Sequence, residues 1–260
     1  MSANLRRVVV CLDVDGARVK KGVRFESLRD VGDPVELAAF YEAEGADEIV
    51  FLDITASVED RPTFLGMVRA TAEALFIPLT LGGGIRTLED VDAGLRAGAD
   101  KISINSAALR RPALLTEAAA RFGAQCVVLS IDAKRDAAMP SGYRVVTHGG
   151  RNPSERDVIE WAREGTERGA GEILLTSIDR DGARTGYDVE LTRAVADAVR
   201  TPVVASGGAG EAAHLVDVIT RGGADAALVA GILHDRMTTV QDLKRSLAAG
   251  GVPVRGGPRS

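Results

Sequence analysis

The sequence predicts an α/β chain closed into a (β/α)8 TIM barrel with a twofold internal half-barrel repeat, on three observations. Eight short apolar runs each pass into a Gly, Ser, Asp or Asn turn and then into an Ala/Leu/Glu/Arg-rich stretch of helical spacing. Those runs are apolar almost throughout rather than alternating, which is the mark of a parallel sheet covered on both faces. The chain has 260 residues, and barrels of this class use about 250 residues as one domain. A doubly wound open sheet is the alternative, and eight βα units favour closure over it.

Taken in order, strands are expected at Val8–Asp13, Glu48–Asp53, Ile77–Leu81, Lys101–Asn105, Cys126–Ile131, Glu172–Ser177, Val203–Ser206 and Ala226–Ala230. Helices are expected near Pro34–Glu44, Pro62–Leu75, Thr87–Ala97, Pro112–Phe122, Ser154–Arg168, Asp188–Val199, Glu211–Arg221 and Thr238–Leu247. Pro34, Pro62 and Pro112 suit first-turn positions, where the missing N–H is no loss. Gly45, Gly98, Gly123, Gly169 and Gly222 follow expected helix ends, where a left-handed residue stops the helix.

The two halves echo each other. Gly45-Ala46-Asp47-Glu48-Ile49 returns 124 residues later as Gly169-Ala170-Gly171-Glu172-Ile173, and Gly83-Gly84 returns at the same offset as Gly207-Gly208. Asp13 and Asp132, each at the end of an apolar run, stand 119 apart. A duplicated half-barrel explains this, with residues 1–260 forming one domain of halves near 1–123 and 124–250 and a tail at 251–260.

Composition excludes other classes. With 45% hydrophobic and 27% charged residues the chain is an ordinary globular one, and a net charge of −5 mixed along its length gives no footprint for nucleic acid or an anionic membrane. No apolar run approaches the roughly 20 residues of a membrane span, and Arg6 and Arg7 precede no signal-type apolar region, so a cytoplasmic location is expected. Cys11 and Cys126 lie in apolar runs and read as buried reduced thiols, and the histidines His148, His214 and His234 form no zinc pattern.

In a barrel the strand C-termini and the loops after them form the active face. Asp13 and Asp132 end the first and fifth strands, and two carboxylates facing each other in a desolvated cleft can divide the roles of general acid and base. A lone strand-end aspartate more often caps a turn, but the repeat-related pair reverses that preference. Leu81-Gly82-Gly83-Gly84-Ile85-Arg86 with Asn105-Ser106-Ala107, and Ser206-Gly207-Gly208-Ala209-Gly210 with Ala230-Gly231, expose backbone N–H groups at helix starts. Each alone reads as a tight turn; two related by the repeat suggest a substrate carrying two phosphates. The polar segment from Thr176 to Gly186, containing Asp181, and the basic run Arg18-Val19-Lys20-Lys21-Gly22 read either as substrate-binding loops or as solvated surface. Arg7, Glu48, Lys101 and Glu172 begin four strands and are expected to form a salt-bridge ring at the opposite end of the barrel, either closing it or serving as a gate or partner contact.

Several ordered segments resemble the cyclase subunit family of imidazole glycerol phosphate synthase: Cys11-Leu12-Asp13-Val14, the stretch from Arg29 to Leu37, Phe51-Leu52-Asp53-Ile54-Thr55-Ala56-Ser57, Gly82-Gly83-Gly84-Ile85, Ile131-Asp132-Ala133-Lys134-Arg135 and the stretch from Leu175 to Gly182. The resemblance implies a lyase of histidine biosynthesis. Ammonia and a bis-phosphorylated ribulosyl aminoimidazole carboxamide precursor would give imidazole glycerol phosphate and aminoimidazole carboxamide ribotide, without metal or organic cofactor. It implies that Asp13 and Asp132 are the acid/base pair, that Lys21 and Asp181 assist substrate, that Gly84, Asn105 and Ser106 hold one phosphate, and that Gly208, Ala230 and Gly231 hold the other. Arg7, Glu48, Lys101 and Glu172 match the floor through which the family admits ammonia. Neither thiol sits in a nucleophile turn with a partner His, so the glutaminase is expected as a separate chain docked on the strand N-terminal face in a heterodimer. Two positions depart from the family pattern: Gly16 is displaced by one residue, and Gly231 stands in place of a serine, leaving backbone amides to bind phosphate. The alternatives are the sister phosphoribosyl aminoimidazole carboxamide isomerase, which needs no partner, and a non-catalytic phosphometabolite-binding barrel.

Overall fold

The computed structural model describes residues 4–16, 18–23, 26–54, 61–147 and 150–256. His148, Thr55-Ala56-Ser57 and the side chains of Lys21 and Arg29 lie outside the described residues. β1 (Arg7–Asp15) runs into β2 (Arg18–Val23) and β3 (Glu26–Gly32), followed by α1 (Pro34–Ala43), β4 (Glu48–Asp53), α2 (Arg61–Ala74), β5 (Leu79–Gly82), α3 (Leu88–Arg96), β6 (Lys101–Ile104), α4 (Ser106–Arg110) and α5 (Ala113–Phe122). The same order then recurs: β7 (Val127–Arg135), β8 (Tyr143–Thr147), β9 (Asn152–Asp157), α6 (Val158–Glu167), β10 (Glu172–Ser177), α7 (Val189–Ala198), β11 (Val203–Ser206), α8 (Ala212–Thr220), β12 (Ala226–Val229), α9 (Gly231–His234) and α10 (Val240–Ala249).

Eight of these strands pair in parallel in the order β1-β4-β5-β6-β7-β10-β11-β12, and β12 pairs with β1, so the sheet closes. The barrel expected from the sequence is therefore the fold, and the open sheet is excluded. Among the described residues no helix is long and apolar enough to cross a membrane. In this ring β1 and β7 are diametrically opposite. They are also its longest strands, nine residues each, because each outruns one parallel neighbour, β12 for β1 and β6 for β7, and continues on that side into an antiparallel hairpin, β1 with β2 and β7 with β8.

Four local expectations are corrected. The basic run at Arg18 is strand β2 rather than loop. The helix expected from Ser154 begins at Val158, because Asn152–Asp157 forms β9 and Asp157 caps α6 by accepting from the Ile159 and Glu160 amides; β9 lies at the end of the strand path, where Pro153 lacks no needed donor. Cys126 sits in a 3-10 turn before β7 and is only half-buried. After α8 the left-handed residue is Gly223 (φ +73°), not Gly222, whereas Gly45, Gly98, Gly123 and Gly169 do take positive φ.

Alternation along the strands sorts side chains into two apolar layers. Val8, Val10, Leu12 and Val14 of β1 point outward and pack under the helices, together with Ile49 and Phe51 of β4. Val9 and Cys11 point inward and join Val50, Val128, Leu174, Val204 and Leu228 in a separate interior cluster. The inward series of β1 is therefore Arg7, Val9, Cys11 and Asp13: a cation at the floor, an apolar middle, and a carboxylate at the mouth.

Gly83 (φ +85°) packs against the end of β4 and Gly207 (φ +88°) against the end of β10; a Cβ would lie 2.7 Å from the Asp53 amide nitrogen in the first and 2.7 Å from the Ser177 carbonyl oxygen in the second. Gly83→Ala and Gly207→Ala are each expected to lower stability by on the order of 3 kcal/mol, from left-handed strain plus the clash. Urea unfolding of each variant checks this.

Candidate active site

The carboxylates of Asp13 and Asp132 occupy the positions where the two longest strands leave the barrel wall. Asp13 faces Lys20 in the β1–β2 hairpin, and Asp132 faces Val146 in the β7–β8 hairpin while still paired with Thr176 of β10. Burial pushes the Asp13 carboxyl up to about 7; the negative charge of Asp181 pushes the same way, and a weak donation from the Cys11 thiol at 3.8 Å opposes it. Burial likewise pushes Asp132 up to about 6, opposed by Asn105 Nδ2 donating to Asp132 Oδ2 at 3.0 Å and reinforced by Asp181. Asp181 thus acts on both groups from the turn after β10, where its amide donates to the Ser177 carbonyl at 2.9 Å.

That turn is tied to the strand carrying Asp132. The Ile178 amide donates to the Ala133 carbonyl at 2.9 Å, and the Asp179 carboxylate accepts from the Arg135 amide at 2.8 Å, extending the β7–β10 ladder past its end. The sequence marks Cys11 as a buried reduced thiol but gives neither this anchor nor the contact of that thiol with Asp13. Period-2 counting back from Asp13 would have placed Cys11 on the same inward face.

The glycine-rich turns lie at the same end of the strands. Gly84 (φ +63°) follows β5, Asn105 precedes α4 and Ser106 opens it; Gly208 (φ +108°) follows β11, Ala230 precedes α9 and Gly231 opens it. Gly208 lies so close to the Gly186 carbonyl that no side chain fits there. Lys21 is paired with Arg29 through the β2–β3 backbone, and its side chain lies outside the described residues.

At the other end, Arg7, Glu48, Lys101 and Glu172 form the expected closed ring. Glu48 Oε2 accepts from Arg7 at 2.9 Å and from Lys101 at 2.8 Å; Glu172 accepts from Lys101 at 2.7 Å and pairs with Arg7. Thr80 donates to the remaining Glu48 oxygen at 2.5 Å. Burial alone would raise the Glu172 carboxyl, yet Arg7 and Lys101 hold it below its ordinary value. Two shallow depressions of about 360 and 350 Å³ flank this ring, one lined by Leu5, Arg7 and Glu172, the other by Leu5, Glu48 and Lys101. They lie on the face opposite Asp13 and Asp132, so chemistry rather than cavity shape locates the candidate active site.

Fold and site together define a (β/α)8 barrel whose acidic pair and glycine turns gather at the strand C-termini, the face on which barrel enzymes react their substrates. The chain belongs to the family described as histidine biosynthesis protein, whose model matches residues 7–239. It is 67% identical over 250 residues to the imidazole glycerol phosphate synthase subunit HisF of Myxococcus xanthus, covering 96% of this chain and 98% of that one. It is 58% identical over 250 residues to the protein of the same name from Anoxybacillus flavithermus, covering 96% and 99%.

A carboxyl whose folded-state pKa is raised adds stability below its unfolded value and loses it as pH rises through the folded one. For Asp13 that window runs from about 4 to about 7. Asp13→Asn removes the titration, so its unfolding free energy should exceed that of the parent by on the order of 4 kcal/mol at pH 8 and differ little at pH 4. Denaturant unfolding of both proteins across that range checks the sign.

Proposed function

We infer that this chain is the cyclase subunit of imidazole glycerol phosphate synthase, an enzyme of histidine biosynthesis that converts ammonia and the bis-phosphorylated ribulosyl aminoimidazole carboxamide precursor into imidazole glycerol phosphate and aminoimidazole carboxamide ribotide. The observation that carries it is the pair of near-neutral carboxylates on opposite strands, in a chain so similar along its whole length to synthase subunits of that name. Those names favour the cyclase over the sister isomerase and over a binding protein without activity.

In the reading proposed here Asp13 and Asp132 share the proton transfers. Between about pH 6 and 7 Asp132 is the more ionised and Asp13 the more protonated, so one accepts while the other donates. Ammonia bonds to the ketone carbon; the carbonyl oxygen leaves as water after taking up protons, and the ammonia nitrogen gives up its own. Ring closure then breaks the C–N bond to the ribotide, whose departing nitrogen takes a proton from the acid. Asn105 holds the Asp132 carboxylate in place, and Lys21 and Asp181 assist the substrate. Gly84, Asn105 and Ser106 form one phosphate cradle, and Gly208, Ala230 and Gly231 form the other. Backbone amides, rather than cations, supply most of the donors.

The word subunit in the relatives' names supports a complex, and we propose a glutaminase chain on the strand N-terminal face, over the depressions beside Arg7, Glu48, Lys101 and Glu172. Ammonia released there would pass the ring and the apolar interior lined by Val9, Val50 and Leu174. The reading carries with it one barrel domain of two half-barrels and a cytoplasmic enzyme.

Incubating the purified chain with the precursor and an ammonium salt should yield both products without a second protein. Expressed per free ammonia, the rate should fall below about pH 6 and again above about pH 7, and Asp132→Asn should lower kcat by about 10²-fold or more with ligand affinity retained. Tight precursor binding without turnover would instead mark a binding protein, and the absence of both binding and turnover would overturn the assignment.

A further inference from the structure

His234 ends α9, the short helix that begins at Gly231, and lies far from any role given above. Its two ring nitrogens hold two other elements: Nδ1 is 2.7 Å from the Tyr41 hydroxyl on α1, and Nε2 is 3.0 Å from the Cys11 carbonyl oxygen on β1. A carbonyl can only accept, so Nε2 carries the ring proton and donates, leaving Nδ1 to accept from Tyr41. Burial pushes the Tyr41 hydroxyl up to about 12, so it remains a donor throughout the working range.

The Cys11 contact has a structural reason. Carbonyls along a strand point alternately to its two neighbours. Those of Val8 and Val14 accept from Asp47 and Ile54 on the β4 side, so that of Cys11 points to the β12 side. There β12 has already left the ladder: its last pairing is Val10 with Val229, after which the chain turns through Ala230 into α9. His234 therefore supplies the donor that the next residue of β12 would have given. A second tie holds the same segment from the other flank, where Asp235 pairs with Arg184 from the loop after β10. The helix that opens at Gly231 is thereby fixed at the height of Cys11, two residues before Asp13 on the same inward face.

We propose that His234 is a positioning residue that fixes the Ala230–Gly231 cradle against β1 and so sets the distance between one phosphate of the substrate and the carboxylate of Asp13. The proposal rests on the reading of Ala230 and Gly231 as part of a phosphate site. It acts on one of the two cradles only; Gly84, Asn105 and Ser106 follow β5 and β6, whereas His234 ties the segment after β12 to β1. Each product keeps a single phosphate, so one product depends on the His234 cradle and the other does not.

The test is calorimetric titration of each product separately, with steady-state kinetics on the precursor. A misplacement near 1 Å can cost about 10²-fold. His234→Ala should weaken one product by about tenfold or more, leave the other within about twofold, and raise KM for the precursor more than it lowers kcat. His234→Gln, which can return an amide donor to the Cys11 carbonyl, should recover most of the loss. Tyr41→Phe deletes one hydroxyl at nearly constant volume and should repeat the one-sided loss at smaller size, so the test does not depend on the alanine variant folding. Equal weakening of both products, or no change in either while the parent binds both, overturns the role of His234. A parent protein that binds neither product overturns the functional reading beneath it.

Discussion

Closure of the parallel sheet is the constraint on which the rest depends. Once β12 pairs with β1 the parallel ring has no free edge, and each of its eight strands must put alternate residues into a narrow interior. For β1 those residues are Arg7, Val9, Cys11 and Asp13, which span roughly 20 Å along the strand at about 3.3 Å per residue. A shift of one residue would send Arg7 and Asp13 outward under the helices and bring Val8 and Leu12 into the interior. The register that buries Val8, Val10, Leu12 and Val14 beneath α1 and its neighbours is therefore the same one that aims Asp13 at the mouth.

The same loss of water has opposite results at the two ends. At the floor Glu172 is buried beside Arg7 and Lys101, and the cations more than offset desolvation, so its carboxyl is held low. At the mouth Asp13 and Asp132 are buried near a third carboxylate, Asp181, and among the described residues a thiol and an amide are what oppose it, so both are driven up toward neutrality. A group that titrates near pH 7 can give and take protons; one locked in an ion pair cannot. The chain thus builds a rigid charged floor and a labile acidic mouth from carboxylates at both ends, by choice of neighbour.

Much of this was legible in the sequence. Three barrel strands have the bounds their residues predict, β4, β10 and β11, each an apolar run closed by a polar residue. Asp13 and Asp132 were visible as acidic ends of apolar runs, and the four floor residues as charges at the starts of others. The added strands were not: Arg18–Val23 is mostly polar and is carried by backbone pairing to the overhanging end of β1, and Asn152–Asp157 is polar and pairs with β8, which itself pairs with the overhanging end of β7. The ties made by Asn105, Asp179 and His234 were equally hidden, since each joins residues distant in sequence and depends on where a strand ends in space. The helix start at Val158 was misplaced because Asn152–Asp157 pairs as a strand right up to its cap.

The central claim is that Asp181 and burial together hold Asp13 and Asp132 near neutrality. Carbon-detected NMR titration of the carboxyl groups, in the parent and in Asp181→Asn, tests it directly. The account predicts two carboxyls titrating near 7 and near 6 in the parent, both moving downward when the Asp181 charge is removed. Two carboxyls titrating near 4 in the parent, or values indifferent to Asp181, would contradict it.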